Sequence, residues 1–149
     1  MNFRARGGFS IIISAYNRPD MLRRILSYYN AYGTKYNIIL ADSSSDENKK
    51  RNRKIISSFS NLNILYLSDY SSKLNLFHKI ADAINYVGEK YCVVCADDDF
   101  ITPNGINQSV DFLEKNPDFT VAHGYYITFW LKTDKKGKRK FYWVPRYVH

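Results

Sequence analysis

Three consecutive carboxylates, Asp97-Asp98-Asp99, are the residues of this sequence hardest to explain as scaffolding. Side by side at the end of an apolar run they repel one another, and some counter-charge must offset them. A hard divalent cation bound through oxygen is the natural one. Magnesium and manganese beside a nucleotide are held by one or two carboxylates together with phosphate oxygens and water. A solvated acidic turn that caps the following helix is the other reading these residues allow. Asp42, behind a second apolar run, and Tyr16-Asn17, behind a third, are placed in the same way.

Cys92-Val93-Val94-Cys95 spells C-x-x-C, a spacing used by redox and zinc sites when it sits on a turn or a helix start. Here it lies inside the apolar run Tyr91 to Ala96, which reads as a strand, and strand side chains three positions apart point to opposite faces. The chain has no second cysteine pair, so two reduced, buried thiols in a reducing compartment are expected. The formal charge of +8 invites a nucleic-acid reading. Its cations collect in Lys49 to Lys54, the solvated face of a helix, and in Lys132 to Lys140, a turn. Neither stretch is interleaved with aromatics as a single-strand-binding surface is. No nucleic-acid partner is expected; a solvated surface, or one facing an anionic membrane, fits the charge better.

The elements that would position these residues alternate strand and helix. Phe9 to Ala15 is a continuous apolar run, as a parallel strand buried on both faces requires. Pro19 opens a helix at its first position, Leu22, Ile25, Leu26 and Tyr29 form its apolar stripe, and Gly33 stops it. Tyr36 to Ala41 is a second strand, ending at Asp42 and a serine-rich turn. A polar helix anchored by Ile55, Ile56 and Phe59 follows, then a short strand from Asn63 to Leu67. Lys73 to Val87 carries Leu74, Phe77, Ile80, Ala81, Ile84 and Val87 at helical spacing, with Gly88 as terminator. Tyr91 to Ala96 is the fourth strand, and Thr102-Pro103 opens another helix with Ile106, Val110 and Leu113 inside. Phe119 to Leu131 is strand-like, and the turn Asp134 to Gly137 with Phe141 to Val144 predicts a hairpin.

One domain over residues 1–149 is expected, long enough to bury a core, with 132–149 as a basic hairpin and tail. The alternation implies an α/β fold with an open, mostly parallel sheet flanked by helices. Ligands of such sheets bind outside the carboxyl ends of the strands, which is where Tyr16-Asn17, Asp42 and Asp97 to Asp99 all fall.

Phe9 to Tyr125 resembles the family 2 glycosyltransferases. Ser10 to Pro19 is similar to that family's first strand and its Tyr-Asn-Arg turn, and Ile38 to Ser43 to its second strand, which ends in an acid and small residues. Gly88 to Asp99, followed by Pro103, is similar to its Gly-Glu-Tyr strand, acidic metal motif and following helix. The resemblance implies a GT-A, Rossmann-like fold, here with the look of a truncated one. It also implies a nucleotide site. Tyr16, between Ala15 and Asn17, would lie against the base or ribose, and Asp42 would accept a hydrogen bond from the base. Lys79 stands where the family often has an arginine near the nucleotide, and Asp97 would face the ribose. Counted back from Pro103, Asp98 matches the last acid of the family's Asp-x-Asp motif and is the expected metal ligand, with Asp99 as its neighbour; Ala96 replaces the motif's first acid. The implied cofactor is Mn2+ or Mg2+, and the implied donor is a nucleotide sugar, a UDP-sugar by preference.

The activity so implied is transfer of the sugar to a saccharide, lipid or protein acceptor. The metal would neutralise charge on the departing diphosphate, and an inverting enzyme also needs a carboxylate base for the acceptor hydroxyl. In the family that base comes from the later half of the domain. Neither Glu114 nor Asp118 occupies a matching position, and the sequence stops at His149. No catalytic base is identified. A non-catalytic nucleotide-sugar-binding module, or a subunit completed by a partner, is therefore the alternative to an enzyme active alone. A receiver-like or phosphatase-like magnesium site is disfavoured by Ser14-Ala15-Tyr16, where those folds place an essential acid. No apolar run approaches the ~20 residues of a membrane span, and Met1 to Gly8 leads into a poor signal peptide. A cytoplasmic location is expected, with peripheral association at the inner face of the membrane as its extension.

Overall fold

The structure is a computed structural model that describes residues 8–146. The elements run β1 (Phe9–Ala15), α1 (Pro19–Ala31), β2 (Asn37–Asp42), α2 (Asp46–Ser57), β3 (Asn63–Leu67), α3 (Leu76–Ile84), β4 (Tyr91–Ala96), α4 (Pro103–Lys115), β5 (Tyr126–Thr133) and β6 (Arg139–Arg146). The first four strands form the parallel sheet that the alternation predicts, in the order β3-β2-β1-β4, and β5 and β6 form a separate antiparallel hairpin. Although the sequence shows no boundary, the chain divides into two compact units after Pro103. The first seven residues, and 147–149 of the expected basic tail, lie outside the described residues.

In the first unit the registers place Ile11, Ile38 and Val93, and likewise Ile13, Leu40 and Cys95, on one face of the sheet. This face lies towards α1 and α2: Tyr29 of α1 meets Cys95, and Asn52 of α2 hydrogen-bonds to Asp42. The opposite face carries Ile12, Ile39 and Ala41, which pack with Ala83 of α3. β1 and β2 are therefore buried on both sides, as their apolar runs require. β4 is not. Because α3 lies over β1 and β2, Cys92 and Val94 stay exposed while Cys95 is buried. The expectation of two buried thiols is thus corrected for Cys92. The opposed directions of the pair hold, and burial pushes the Cys95 thiol up to about 12, so it stays protonated at neutral pH.

α3 also departs from its apolar pattern. Its buried residues are Lys79 and Ala83, one turn apart, while Leu76, Phe77 and Ile84 are exposed, Phe77 by 77%. The spacing of the apolar residues does not select the face, because the lysine has partners inside that no apolar side chain could supply. The helix also starts later than Lys73, where Asn75 caps it by accepting from Phe77 N, and ends at Ile84, before Gly88.

At the amino ends of the strands a polar ladder crosses the sheet. Ser10 Oγ and Asn37 Nδ2 each donate to one oxygen of Glu89, and Asn63 Nδ2 donates to Asn37 Oδ1. One carboxylate and two amides so tie β1, β2, β3 and the approach to β4 together.

In the second unit, the strand begins at Tyr126 and not at Phe119, after a stretch punctuated by Pro117 and Gly124. The turn forms as predicted: Asp134 Oδ1 accepts from the backbone of Lys136 and Lys138, and Gly137 takes the left-handed conformation (φ 76°). Strand alternation gives the hairpin one face of Ile127, Phe129, Leu131, Phe141 and Trp143, all exposed. Trp130 and Tyr142 stack on the other, at 5.9 Å between ring centroids, with Lys132 beside Tyr142.

The ladder sets an expectation for stability. Glu89→Ala strands a buried hydroxyl and an amide and should cost roughly 1–3 kcal/mol, with Glu89→Gln milder because it keeps one acceptor. Urea unfolding checks both, and a Glu89→Gln variant as stable as the native protein beside a destabilised Glu89→Ala would show that the side chain acts only by its bulk.

Candidate functional site

The loops at the carboxyl ends of β1 and β2 are tied to each other. Asn17, in the left-handed region at φ 53°, donates its backbone N–H to Ser44 Oγ (2.8 Å). Its Oδ1 accepts from Ser45 N (2.8 Å) and Asn48 Nδ2 (3.1 Å). Asparagine tolerates that conformation because its short amide bonds locally, as here. Ser45 caps α2 by accepting from Asn48 N.

Lys79 closes the same corner from beneath. It is only 2% exposed, and its ammonium donates to Ala15 O (3.0 Å) and Ser43 Oγ (2.9 Å). Burial holds its pKa below the ordinary lysine value, while Asp42 and Asp97 pull it back up.

A cleft of about 410 Å³ opens above this corner. Ser14, Tyr16, Arg18, Ser43 and Lys79 give it polar walls, and Leu74, Leu76, Ile80 and Val94 apolar ones. Tyr16 is 51% exposed, free to lie against a planar ligand.

The aspartates follow β4, beside β1 in the sheet. Asp97 is fully buried, Asp98 is half exposed, and Asp99 is exposed. Arg18 spans the first two: Nη2 pairs with Asp97 Oδ1 and Nη1 with Asp98 Oδ2, the latter at 2.8 Å. Arg24 Nη2 adds a hydrogen bond to Asp98 O (3.0 Å). Burial raises the Asp97 pKa and the Arg18 charge offsets part of that rise. Its second oxygen, Oδ2, is buried without any hydrogen-bond partner.

Among the described residues no group of three or more His, Cys, Asp or Glu side chains converges to enclose an ion. Two adjacent carboxylates and one orphaned buried oxygen suit a different arrangement. In it, Mg2+ or Mn2+ takes one or two protein oxygens and completes its shell from phosphates and water. The residues present fit that group, and Asp98 and Asp97 would be the ones to hold it.

The structure thus brings together Ala15, Tyr16, Asn17, Lys79, Asp97 and Asp98 of the expected site. Ala15 takes part through its carbonyl, already bonded to Lys79 and to Ser43 N (3.2 Å). Asp42 stands at the expected strand end but is sealed. Its Oδ1 accepts from Ser44 N (2.8 Å), and its Oδ2 from Asn52 Nδ2 (2.8 Å) and Tyr66 Oη (2.5 Å). Fully buried, it anchors the serine turn, and like Asp97 and Asp98 it is not among the residues that line the cleft, which reaches the last two only through Arg18. Arg18 had no role in the sequence reading. Its signal was there: a cation two residues past Tyr16, at the same end of the sheet as three carboxylates.

A profile described as Glycosyl transferase family 2 matches residues 10–148. A comparison with curated proteins finds no match. Among solved structures, the chain is similar to the mannosyltransferase PcManGT from Pyrobaculum calidifontis, solved in complex with GDP-Man and Mn2+. The TM-score is 0.59 at 18% identity, over 75% of this chain and 33% of that one. It is also similar to TarS of S. aureus (residues 1–349), with a TM-score of 0.57 at 17% identity, over 74% of this chain and 33% of that one. The chain spans about a third of the length of these structures. Its parallel sheet flanked by helices is the GT-A-type fold.

The buried ammonium gives a pH signature. With its folded pKa below 10.5, the unfolded chain binds more protons between the folded value and 10.5, so stability rises with pH across that window. Lys79→Met should lose this rise. The difference in urea midpoint, native minus variant, then moves in favour of the native protein between neutral pH and pH 10.5, and midpoints that move in parallel would rule out a desolvated Lys79.

Proposed function

Because the chain belongs to glycosyl transferase family 2, we propose that its cleft binds a nucleoside-diphosphate sugar through a divalent cation, for transfer of the sugar to an acceptor. The observation that carries this reading is Asp97: a buried carboxylate with one unpartnered oxygen, beside Asp98, at the carboxyl end of a parallel sheet. A buried carboxylate that is only half satisfied destabilises the protein, and such groups persist where a ligand completes them.

Asp98, reachable from solvent, is the direct ligand of Mn2+ or Mg2+, with Asp99 next to it. Asp97 supports the ion or faces the ribose. Tyr16 offers its ring to the base, and Lys79 fixes the backbone at Ala15 against which the nucleoside rests. The cation would neutralise charge on the departing diphosphate. Uridine is the first choice of base; guanosine is the second, since the mannosyltransferase of similar fold is solved with GDP-Man and Mn2+. A binding module without turnover is the second reading, favoured by one feature: none of the residues lining the cleft is a carboxylate that could serve as base.

Calorimetry with UDP and GDP, with and without Mn2+, tests the site. At least one nucleotide should bind about tenfold or more tightly with the metal, and Asp98→Ala should remove that gain. Binding indifferent to metal would overturn the reading. Release of sugar from UDP- or GDP-sugars then separates enzyme from module.

We further place the protein at an anionic membrane surface. The hairpin supports this with a tip of Lys132, Lys135, Lys136, Lys138, Arg139 and Lys140 next to exposed aromatic rows, the composition of an interfacial anchor. Among the described residues no helix is long and apolar enough to cross a membrane. Both tryptophans of the chain, Trp130 and Trp143, lie on this hairpin, so intrinsic emission reports its surroundings directly. Emission should shift to the blue on phosphatidylserine vesicles and stay unchanged on phosphatidylcholine, and reversing Lys135, Lys136 and Lys138 to Glu should abolish the shift.

A further inference from the structure

We propose that Arg18 is the resident counter-cation of the metal site. Its guanidinium holds Asp97 and Asp98 in the absence of a divalent cation, and it yields them only when the phosphates of a nucleoside diphosphate take the guanidinium in exchange. This rests on the donor site proposed above and adds a rule of loading to it.

The two outer nitrogens of Arg18 go to different carboxylates, Nη2 to Asp97 and Nη1 to Asp98. The guanidinium therefore sits between the two acids, in the place a cation ligated by both would take. A dication and a guanidinium repel at that range, so occupancy is exclusive.

Removing Arg18 from Asp97 without replacement leaves a fully buried carboxylate with no hydrogen-bonded side-chain partner and only the field of Lys79 to offset its charge, a costly state that a replacing cation relieves. Arg18 satisfies only one of the two Asp97 oxygens, so the carboxylate keeps an unmet demand that the arginine does not fill.

Only the side chain can leave. The backbone of Arg18 is the N-cap of α1, its carbonyl accepting from Met21 N (3.0 Å) and Leu22 N (3.1 Å), with Pro19 next. That side chain is 48% exposed and borders the cleft, so the route out leads to where the diphosphate would lie. A planar guanidinium exchanges a carboxylate pair for phosphate oxygens with its fork geometry intact. The consequence is reciprocal coupling: metal alone binds weakly, nucleotide alone binds weakly, and each strengthens the other.

Titration of Mn2+ without nucleotide, followed by electron paramagnetic resonance, tests this on the native chain, Arg18→Ala and Arg18→Lys. Arg18→Ala should bind Mn2+ alone about tenfold more tightly, in the range of measured couplings, and Arg18→Lys should fall between. The factor by which UDP or GDP tightens Mn2+ should shrink in Arg18→Ala. Unchanged or weaker Mn2+ binding by a folded Arg18→Ala overturns the inference.

A second measurement needs no variant to fold. The Arg18 Nε–Hε resonance of the native chain should stay in place with Mg2+ alone and move when Mg2+ and the nucleotide are both present. Movement with Mg2+ alone, or none with both, overturns it. If the native chain shows nucleotide-dependent metal binding while Arg18→Ala leaves metal-alone affinity unchanged, only this inference fails. If no form binds metal with any nucleotide, the donor site fails with it.

Discussion

An ammonium group almost without access to solvent holds the working end of this molecule together. Lys79 reaches from α3 to the last carbonyl of β1 and the first serine after β2, two strands that are neighbours in the sheet. The β1–α1 and β2–α2 loops are bound to each other above it through Asn17, Ser44 and Ser45. Take the ammonium away and the carbonyl of Ala15 keeps only the Ser43 amide, while the cleft loses one of the two cations in its lining, Arg18 being the other. The cost of burying a cation is offset by the bonds it makes and by the negative field of Asp42 and Asp97 nearby.

That field explains the arrangement of charge around the cleft. Two carboxylates are fully buried at this end of the sheet, and they are treated in opposite ways. Asp42 receives three hydrogen bonds, from a backbone amide, an asparagine and a tyrosine, and becomes a fixed part of the loop. Burial and the bond to Asp42 together keep the Tyr66 phenol protonated well past its ordinary range. Asp97 receives one arginine on one oxygen and nothing on the other. One carboxylate is closed and the other is left open, and the open one lies beside the solvent-reachable Asp98. This asymmetry distinguishes a satisfied acid from a half-satisfied one more sharply than the number of aspartates does.

The strands and most helix starts were legible in the sequence. Apolar runs long enough only for strands, Pro19 and Pro103 at first helical positions, and the serine cap of α2 are local signals that tertiary packing did not overrule. Apart from the late start of β5, a matter of local turn residues, the misreadings share a cause. The apolar spacing of α3 pointed to Phe77 and Ile84 as core, yet the helix turns Lys79 inward, because an ammonium can bond carbonyl and hydroxyl oxygens at the strand ends. Cys92 reads as buried in an apolar strand, yet it stands where α3 does not reach. Which face of an element is covered depends on where its neighbours sit, and no window of residues contains that.

What the sequence determined alone was the order of elements, the placing of Tyr16, Asn17, Asp42 and Asp97 to Asp99 at strand ends, and the family, because each depends on residues close together in the chain. What only the tertiary structure decided was how those residues divide their work. Arg18 meets Asp97 and Asp98 from far along the chain, Tyr66 and Asn52 seal Asp42, and Lys79 arrives beneath Ala15 from another helix. Charge and hydrogen bonding act through space, so the state of each acid is set by neighbours that sequence proximity does not reveal.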